Sequence, residues 1–419
     1  MRQDVIEEFN EWWFTGAVPE DLSQEYRRRL FYTLEKSLDS RFMVATVGLR
    51  RVGKTTLMYQ LIQELLQRGV APKHVLYFSF DEAVEGLHEL LEAYQVQNQI
   101  DFRSQRIYIF LDEIQKLPGW QSQVKRHYDL YPKMKFFLSG SESLFLRQGI
   151  EESLAGRIQE YVLPPLSFGE FLELKEGRSP KDLQTVKIKT HFREYILKGG
   201  FPELTAEKGT DVQSYIRSIV LDKVIYKDIM TLSNLRDSRL LLTLLELIAV
   251  NPGMYVNYQS LGQQFDCDRR TIKQYIHWLE KSFLVRLLSN YRKASAARLR
   301  KDKKAYVSDT GIASCYKTNI DEAFFGRLVE TAVINSIQTD YFWKNGKDVD
   351  AVADGRPIEV KYQPKTTAHD LRGLRSFMRK FKVDEGYLVT KDEEKTTPVP
   401  EGRIDHISAR KFLLQRDVQ

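Results

Sequence analysis

Residues 48–55 read Gly48-Leu49-Arg50-Arg51-Val52-Gly53-Lys54-Thr55, and this stretch decides the fold of the N-terminal part of the chain. It matches the P-loop pattern, in which four residues separate two glycines and Lys and Thr follow the second one. An apolar run, Met43–Val47, precedes it and a helical pattern, Thr55–Gln67, follows. The loop therefore lies between a strand and a helix, as a P-loop must. A glycine turn that carries Lys-Thr by chance is the alternative.

The chemistry of such a loop is nucleotide binding. Its glycines let backbone N–H groups curl around a β-phosphate, and the helix N-terminus adds partial positive charge. We expect Lys54 to reach the β- and γ-phosphates of ATP and Thr55 to ligate Mg²⁺. The expected ATP-binding residues are Gly48, Arg50, Arg51, Val52, Gly53, Lys54, Thr55 and Thr56.

Two acidic residues follow a second apolar run. Ile107–Leu111 leads directly into Asp112 and Glu113. An acid at the end of a buried strand is costly unless it serves a charge, and Mg²⁺ is that charge here. Asp112 is expected to hold the metal, directly or through water, and Glu113 to orient and polarise the attacking water. The alternative is a turn with two surface acids.

The region from about residue 42 to 165 alternates short apolar runs with helical patterns. Apolar strands without polar alternation are typical of a parallel sheet covered by helices on both faces. The crossover rule then predicts a doubly wound α/β layer. The runs are Met43–Val47, Val75–Phe80, Ile107–Leu111, Met134–Leu138 and Gln159–Leu163. Residues 1–41 are expected to be helical, with Trp12, Trp13 and Phe14 as packing anchors, and residues 391–400 are expected to form a polar loop.

The composition is that of a soluble globular protein with two to four domains. The net charge of +6 is the difference between 63 basic and 57 acidic residues, so only local clustering could indicate nucleic acid. Cys267 and Cys315 fit no zinc-ligand spacing. The first ten residues have no apolar core, and the longest apolar run, Leu240–Val250, is too short to span a bilayer. We therefore expect a cytoplasmic protein without a membrane segment.

Ser139 ends the fourth apolar run, where a polar side chain would face the γ-phosphate. It is therefore a candidate sensor of the nucleotide. The sequence Ser-Gly-Ser at 139–141 is also ordinary turn chemistry, and this alternative stays open.

Several stretches together resemble a prokaryotic AAA+ family that is widespread in archaea. They are Gly48–Thr56, Phe110–Gln115, Leu138–Ser143, Leu154–Arg157, Leu166–Phe171 and Gly199–Glu203. Members of that family are predicted ATPases with a C-terminal domain of unknown function. The resemblance covers nearly the whole chain and implies an α/β P-loop core of five parallel strands, a helical lid, a winged helix and a domain similar to PD-(D/E)xK nucleases. We place these parts at 1–165, 166–240, 241–300 and 301–419.

The resemblance also draws attention to Arg157, which precedes the last core strand. Negative charge that develops on a γ-phosphoryl group is well met by a fixed guanidinium. Arg157 is therefore a candidate arginine finger, supplied to its own or a neighbouring subunit. A structural salt bridge at a helix end is the alternative. Because ATP often lies between subunits in this class, a homo-oligomer is expected.

Residues 258–291 have the pattern of a helix-turn-helix with a wing. The second helix, Arg269–Lys281, carries polar and basic residues near its start, of the types that reach bases and phosphates in a major groove. A basic stretch then follows the wing. The candidate DNA-binding residues are Arg269, Arg270, Lys273, Arg292, Lys293, Arg298 and Arg300. Winged helices also dock proteins, so a protein partner is the alternative.

The last domain carries a set of acidic residues with one lysine. Glu330 lies in a predicted helix and Asp350 on a predicted strand, and Glu359-Val360-Lys361 lies on the next strand. Residues two apart along a strand face the same side, so Glu359 and Lys361 point together. Two or three of the carboxylates could bind Mg²⁺, and Lys361 could activate or position water for phosphodiester hydrolysis. Glu-x-Lys alone is a weak pattern, and similar domains have often lost catalysis, so cleavage stays open.

The sequence thus predicts an AAA+ ATPase that hydrolyses ATP to ADP and phosphate and couples this to DNA binding, with Mg²⁺-dependent DNA cleavage as an open extension. A nucleotide-gated DNA- or protein-binding switch without nuclease activity is the main rival. A small-molecule kinase is the other, and Glu113 argues against it because a kinase does not need to activate water.

Overall fold

The structure is a computed structural model of the 419-residue chain. It describes residues 3–82, 84–140, 154, 156–206, 209–230, 235, 237–292, 303–317 and 319–416. The chain forms two compact units, Met1–Pro164 and Pro165–Gln419, which we call the N-terminal and the C-terminal unit.

The N-terminal unit is built on one parallel sheet of five strands. The strands are β1 (Met43–Val47), β2 (Val75–Ser79), β3 (Ile107–Asp112), β4 (Met134–Gly140) and β5 (Ile158–Val162). Their order is β2-β3-β4-β1-β5, with all neighbours parallel. Every residue of β1 to β4 is buried, as continuous apolar strands between two helical layers should be. The predicted α/β fold class is confirmed.

Among the residues that the structure describes, seven α-helices flank this sheet. They are α1 (Gln3–Glu8), α2 (Trp12–Thr15), α3 (Glu20–Ser23), α4 (Arg29–Glu35), α5 (Lys54–Gln67), α6 (Leu87–Asn98) and α7 (Trp120–Leu130). Trp12 and Trp13 are buried, and both indole N–H groups donate to the Val75 carbonyl. Phe14 is 69% exposed, so its prediction as an anchor was wrong. Successive helical residues turn by about 100°, so three in a row cannot all face one core.

The C-terminal unit begins with helices and continues into two sheets. Its α-helices are α8 (Phe168–Glu176), α9 (Thr185–Lys198), α10 (Pro202–Ala206), α11 (Val212–Ser214), α12 (Ser238–Val250), α13 (Tyr258–Gln264), α14 (Arg269–Lys281), α15 (Thr310–Tyr316), α16 (Glu322–Ser336), α17 (Arg372–Phe381) and α18 (Ala409–Arg416). Tyr215–Leu221 and Lys223–Ile229 are π-helical. Within the described ranges, no helix is long and apolar enough to cross a membrane.

The break after α9 at Gly199-Gly200 has a packing reason. The Asp309 carboxylate, which caps α15, accepts hydrogen bonds from the backbone N–H groups of Gly200 and Gly311, each at 2.8 Å. A Cβ atom at Gly199 would lie 1.8 Å from Asp309 Oδ1, and the residue has φ 80°, so only glycine fits there. The buried Asp309 therefore fastens the end of α9 to the start of α15.

The first sheet of the C-terminal unit contains the segment that was predicted to form the wing. Its strands are β6 (Met254–Val256), β7 (Val285–Asn290), β8 (Lys303–Val307), β9 (Tyr341–Lys344) and β10 (Asp348–Val349), in the order β10-β9-β7-β8-β6. Strand β8 pairs antiparallel with both β6 and β7, and β7 pairs parallel with β9. The predicted boundary at residue 300 falls between the paired strands β7 and β8.

The second sheet carries the Glu-x-Lys motif. Its strands are β11 (Ala351–Ala353), β12 (Arg356–Lys361), β13 (Glu385–Thr390), β14 (Lys395–Val399) and β15 (Gly402–Ser408), in the order β11-β12-β13-β15-β14. The three central strands are parallel, and both edge pairs are antiparallel. One core cluster brings Leu374, Phe377 and Met378 of α17 together with Leu388 of β13 and Trp343 of β9.

Two sequence-based expectations for this region were wrong. Asp350 was expected on a strand, but it lies between the end of β10 and the start of β11, where the chain passes from one sheet to the other. Residues 391–400 were expected to form a polar loop, but Lys395–Val399 is the edge strand β14. Edge strands are often polar and can hold a proline, here Pro398, so their composition resembles that of a loop.

Candidate functional site

The P-loop joins β1 to α5, with Lys54 as the first residue of the helix. The Lys54 ammonium donates hydrogen bonds to the carbonyls of Gly48 and Leu49, both at 3.0 Å. A Cβ atom at Gly48 would lie 2.3 Å from the Leu163 carbonyl oxygen. Only glycine therefore fits at this position, where the loop leaves the sheet beside the end of β5. All eight residues of the predicted ATP-binding set lie in this loop or in the first turn of α5.

Arg28, which was not predicted from the sequence, makes hydrogen bonds that hold the backbone of the P-loop in place. Its guanidinium donates to the Val52 carbonyl of the loop and to the Pro164 carbonyl after β5, both at 3.0 Å. Only 6% of the residue is exposed. Arg28 therefore ties the P-loop backbone to the end of the neighbouring strand.

Asp112, the last residue of β3, accepts hydrogen bonds from four groups. The Thr55 and Tyr77 hydroxyls donate to its Oδ2, at 2.6 and 3.0 Å. The Ser139 hydroxyl and the Glu113 backbone N–H donate to its Oδ1, the latter at 3.0 Å. We call these five residues the Asp112 cluster. Each donor comes from a segment that ends or begins at the carboxyl edge of the sheet, which is why they meet.

The donor chemistry of this cluster fits Mg²⁺. Magnesium prefers oxygen ligands and usually takes only one or two carboxylates, with phosphate and water oxygens completing its shell. Thr55 Oγ1 and Asp112 Oδ2 are such oxygens and lie 2.6 Å apart. Among the described residues, no three Asp, Glu, His or Cys side chains gather around one metal position. The cluster therefore suits a metal that is shared with a nucleotide rather than one held by protein alone.

Glu113 belongs to the Asp112 cluster through its backbone N–H, and its carboxyl group lies near the charge of Lys54. Its backbone is left-handed, with φ 51°, which turns the chain sharply after β3. Burial raises the pKa of its carboxyl above the ordinary value, and the positive charge of Lys54 opposes this. Its Oε2 accepts a hydrogen bond from Gln115 at 2.5 Å. A carboxylate with a raised pKa is a stronger base for a water proton.

The two remaining candidates of this unit lie at opposite ends of the parallel strands, Ser139 at the carboxyl end and Arg157 at the amino end. Ser139 is fully buried and contacts Asp112, at the P-loop edge. Arg157 precedes β5, and its carbonyl accepts from the N–H of Met43 at the start of β1. A five-residue strand is about 16 Å long, so Arg157 lies too far from its own P-loop to act there. Its guanidinium pairs with Asp129 of α7 at 3.1 Å.

The predicted recognition helix α14 begins and ends as expected, at Arg269 and Lys281. Arg269, Arg270 and Lys273 are exposed. Tyr275 of the same helix is buried, and its hydroxyl accepts from the Asp237 backbone N–H. Arg292 is partly exposed. Three further candidates, Lys293, Arg298 and Arg300, lie outside the described residues.

The C-terminal acidic residues come together in one cluster, in which Lys304, Tyr306, Asp350 and Glu359 are buried and Glu330 and Lys361 are half-buried. Asp350 accepts from the Lys304 ammonium at 2.8 Å and from the Val360 backbone N–H at 2.9 Å. The Lys361 ammonium pairs with Glu359 at 2.7 Å. The Tyr306 hydroxyl donates to Glu330 at 2.7 Å. We call this set the Asp350 cluster; its members are Lys304, Tyr306, Glu330, Asp350, Glu359 and Lys361.

The charges of this cluster act strongly on one another. Burial raises the pKa values of Glu330 and Glu359, and the nearby charge of Asp350 raises both further. Burial also acts against ionised Asp350, yet Lys304 and Lys361 hold its pKa below the ordinary value. Glu359 Oε2 is buried and has no hydrogen-bond partner. A buried carboxylate oxygen without a partner is costly, so this oxygen is suited to accept a cation or a donor from a ligand.

Three residues of the two clusters escaped sequence reasoning. Tyr77 stands in the apolar strand β2, where a tyrosine looks like core. Lys304 was counted with the surface basic stretch, yet it is only 6% exposed. Tyr306 stands two residues after it on β8 and faces the same cluster. The alternation Lys304-Ala305-Tyr306-Val307 was the available signal, because it marks a strand in which the polar residues share a face.

The comparison with protein families agrees with the geometry of the N-terminal unit. Residues 40–172 match the model of a family described as an AAA domain. The N-terminal unit is an AAA+ P-loop core. Residues 189–323 match a domain of unknown function, DUF8612. That match begins within α9 and ends within α16, so it includes the helix-turn-helix and the wing.

The chain is similar to three curated proteins that are described as uncharacterized. An uncharacterized protein of Haemophilus influenzae is 27% identical over 65% of this chain and 69% of its own length. Two uncharacterized proteins of Methanocaldococcus jannaschii are 27% and 26% identical, over 58% and 83% of this chain and 56% and 76% of their lengths.

Two solved structures have a distant likeness. The Holliday junction branch migration motor RuvB of Thermotoga maritima matches with a TM-score of 0.32 and 16% identity, over 65% of this chain and 92% of its own. PCH-2 of C. elegans matches with a TM-score of 0.32 and 10% identity, over 48% and 64%. Likeness at this level says nothing about what this chain binds.

Proposed function

We propose that this protein hydrolyses ATP to ADP and phosphate and couples hydrolysis to the action of its C-terminal unit on DNA. The observation that carries the first part is the 2.6 Å contact between Thr55 and Asp112, which joins the P-loop helix to the acidic strand end. Glu113 follows Asp112 directly and feels the charge of Lys54. A phosphate cradle, a metal-binding pair and a base are thus assembled at one edge of the sheet.

Each residue then has a distinct role. Lys54 exchanges its carbonyl partners for β- and γ-phosphate oxygens. Thr55 and Asp112 would hold Mg²⁺, which would supply positive charge to neutralise the phosphates. Glu113 orients a water molecule toward the γ-phosphorus and accepts its proton. Tyr77 and Ser139 fix the Asp112 carboxylate and are positioning residues.

The test separates binding from hydrolysis. Lys54→Ala should lose both ATP binding and steady-state phosphate release. Glu113→Gln should bind ATP as well as the wild type but release phosphate far more slowly, because the amide cannot accept a proton. Unchanged turnover in Lys54→Ala would sink the assignment. A very slow wild type with tight ATP binding would favour the nucleotide-gated switch.

Exposed basic residues on one helix support DNA binding by the C-terminal unit. Arg269, Arg270 and Lys273 lie at the start of α14, the part of a recognition helix that reaches the groove. DNA affinity should fall steeply with salt, and Lys273→Ala should reduce the slope by about one. Arg126→Ala, an exposed arginine of the other unit, is the control. A flat salt titration would indicate protein docking instead.

A second candidate activity is Mg²⁺-dependent cleavage of DNA. It is supported by the meeting of Glu330, Asp350, Glu359 and Lys361, together with the unpartnered oxygen of Glu359. Among the described residues no three carboxylates surround one position, so one or two of these, with water and phosphate oxygens, would hold Mg²⁺, and Lys361 would position a water molecule. Labelled linear, branched and single-stranded DNA should be cut by the wild type and not by a Glu359→Ala, Lys361→Ala double variant. Binding without cleavage in both would make the cluster a scaffold.

We also propose that the protein forms a homo-oligomer in which Arg157 serves a neighbouring P-loop. The position of Arg157 at the far edge of its own sheet excludes its own site but not that of another subunit. Lys54→Ala and Arg157→Ala chains, each inactive alone, should recover ATPase activity when mixed. Mixtures that stay inactive would leave Arg157 with only its ion pair to Asp129.

A further inference from the structure

The strongest unexplained feature of the molecule is a buried lysine in the Asp350 cluster. The Lys304 ammonium lies 2.8 Å from Asp350 Oδ1, and the two side chains are only 7% and 10% exposed. A lysine is rarely buried unless its charge is matched, and here the match is Asp350, with Glu330 close enough to add to it. The ion pair is therefore a built part of the cluster rather than a surface contact.

Both oxygens of Asp350 are already engaged. Oδ1 accepts from Lys304, and Oδ2 accepts from the Val360 backbone N–H. The backbone bond is fixed by strand β12, so the lysine is the partner that can move. A divalent cation placed next to Oδ1 would stand within a few ångströms of the ammonium, and at that distance like charges repel strongly in a buried site. A cation and Lys304 cannot share Asp350 in this arrangement.

A second, independent observation points to a cation in the same cluster. Glu359 is only 7% exposed, its Oε2 has no hydrogen-bond partner, and it feels the charges of Asp350 and Lys304. Lys361 pairs with the other oxygen, Oε1, at 2.7 Å. The cluster therefore has one carboxylate oxygen without a partner, Glu359 Oε2, while Lys304 occupies another, Asp350 Oδ1.

We propose that Lys304 sets the affinity of the Asp350 cluster for a divalent cation, which binds by displacing the Lys304 ammonium from Asp350. This rests on the cleavage site proposed above and deepens it, since it names the residue that decides when that site can hold its metal. The aromatic rings of Tyr255 and Phe342, about 6 Å from the ammonium, offer the displaced charge a favourable surface.

The test measures cation binding, not cleavage. The full chain, free of nucleotide and carrying Asp112→Asn so that only the C-terminal site is counted, is titrated with Mn²⁺, and free Mn²⁺ is followed by electron paramagnetic resonance. Lys304→Met keeps the aliphatic stem without the charge and should bind Mn²⁺ at least tenfold more tightly. Lys303→Met, the same change one residue earlier on the same strand, should leave the affinity unchanged.

The outcomes separate this proposal from the cleavage site itself. If Asp350→Asn weakens Mn²⁺ binding but Lys304→Met binds like the wild type, the metal site stands and the role of Lys304 is refuted. If none of the chains binds Mn²⁺, the metal site falls and this proposal with it. Should Lys304→Met be too unstable to titrate, Lys304→Gln is used, with the Mn²⁺-induced rise in Tm as the readout. A rise no larger than that of the wild type would overturn the proposal.

Discussion

Each unit of this protein holds a buried aspartate at the centre of its cluster, and the two are stabilised in different ways. Asp112 accepts from three hydroxyls and one backbone N–H, all neutral. Asp350 accepts from one backbone N–H and from the ammonium of Lys304. The first carboxylate keeps its full charge available to a cation. The second carboxylate is already paired with a cationic group, the Lys304 ammonium.

If both clusters bind cations as proposed above, this difference separates two kinds of site. Neutral donors orient a carboxylate and reduce the cost of burying it without competing for its charge. A lysine offsets the cost of burying the carboxylate charge more completely, but a metal ion must then displace the lysine to bind that carboxylate. A site built like Asp112 is ready when its nucleotide arrives, whereas one built like Asp350 responds only to a cation that outcompetes the lysine. The predictions that follow test this contrast.

The largest effect is expected at Asp112. Asp112→Asn should lower kcat for ATP hydrolysis on the order of 1000-fold, because charge stabilisation by a bound metal is worth several kcal/mol. Steady-state phosphate release measures it, with the exposed Asp101→Asn of the same unit as control. A loss smaller than tenfold would mean that Asp112 does not hold the metal.

The next effect is on stability. Without metal, Lys304→Met should lower the free energy of local unfolding by about 3 kcal/mol, because it leaves a buried carboxylate without its counter-charge. Thr55→Val, which removes one neutral donor from Asp112, should cost only about 1 kcal/mol. Native-state hydrogen exchange at the Val360 amide and in α5 gives the two values. Equal costs would contradict the contrast between the clusters.

A third buried aspartate extends the comparison. Asp309 accepts from two backbone N–H groups and has no lysine, and burial outweighs these bonds and raises its pKa to about 6. Its folded pKa exceeds the unfolded one, so the folded state holds the proton longer. The free energy of unfolding should therefore fall by up to about 3 kcal/mol as pH rises from about 4 to about 6.

Asp309→Asn should remove this pH dependence, because the amide resembles the protonated acid in this window. Urea titrations between pH 4 and pH 7 on the wild type and the variant measure the difference. A wild type whose stability rises across this window would mean that the two hydrogen bonds outweigh burial.

The smallest effect is expected at Tyr77. Tyr77→Phe removes one of the four donors to Asp112 and should raise the Mg²⁺ concentration for half-maximal ATPase activity about fivefold, equivalent to about 1 kcal/mol. Activity at saturating Mg²⁺ should change less. Tyr94→Phe, whose hydroxyl bonds the Lys73 carbonyl instead, is the matched control. Identical Mg²⁺ dependence of ATPase activity in all three chains would mean that the Tyr77 hydroxyl does not help Asp112 to bind the metal.

The sequence predicted the N-terminal sheet closely, since fully buried parallel strands are continuous apolar runs. Met43–Val47 begins and ends as predicted, and the other four strands agree within two residues at each end. Asp112 and Ser139 were recognisable because a polar residue interrupts such a run. Tyr77 could not be recognised, because only the pairing of β2 with β3 places its hydroxyl beside Asp112.

The C-terminal unit was harder to predict because its sheets mix edge strands and short segments. The meeting of Glu330, Asp350 and Glu359 was expected from the resemblance. The place of Lys304 was not, because a lysine in a basic stretch looks exposed, and its burial depends on β8 pairing with strands on both sides. Charge patterns describe a surface well only when no neighbouring strand covers it.

The wing sheet also determines where this chain can be divided. Its strands alternate between segments on either side of residue 300: β7 pairs with β8 and with β9, and β8 pairs with β6. A fragment that ends at 300 would keep β7 but expose both of its edges. A fragment that starts at 301 would keep Lys304 but leave β8 without either neighbour. Expression of the C-terminal half should therefore begin near Pro165, where the C-terminal unit begins.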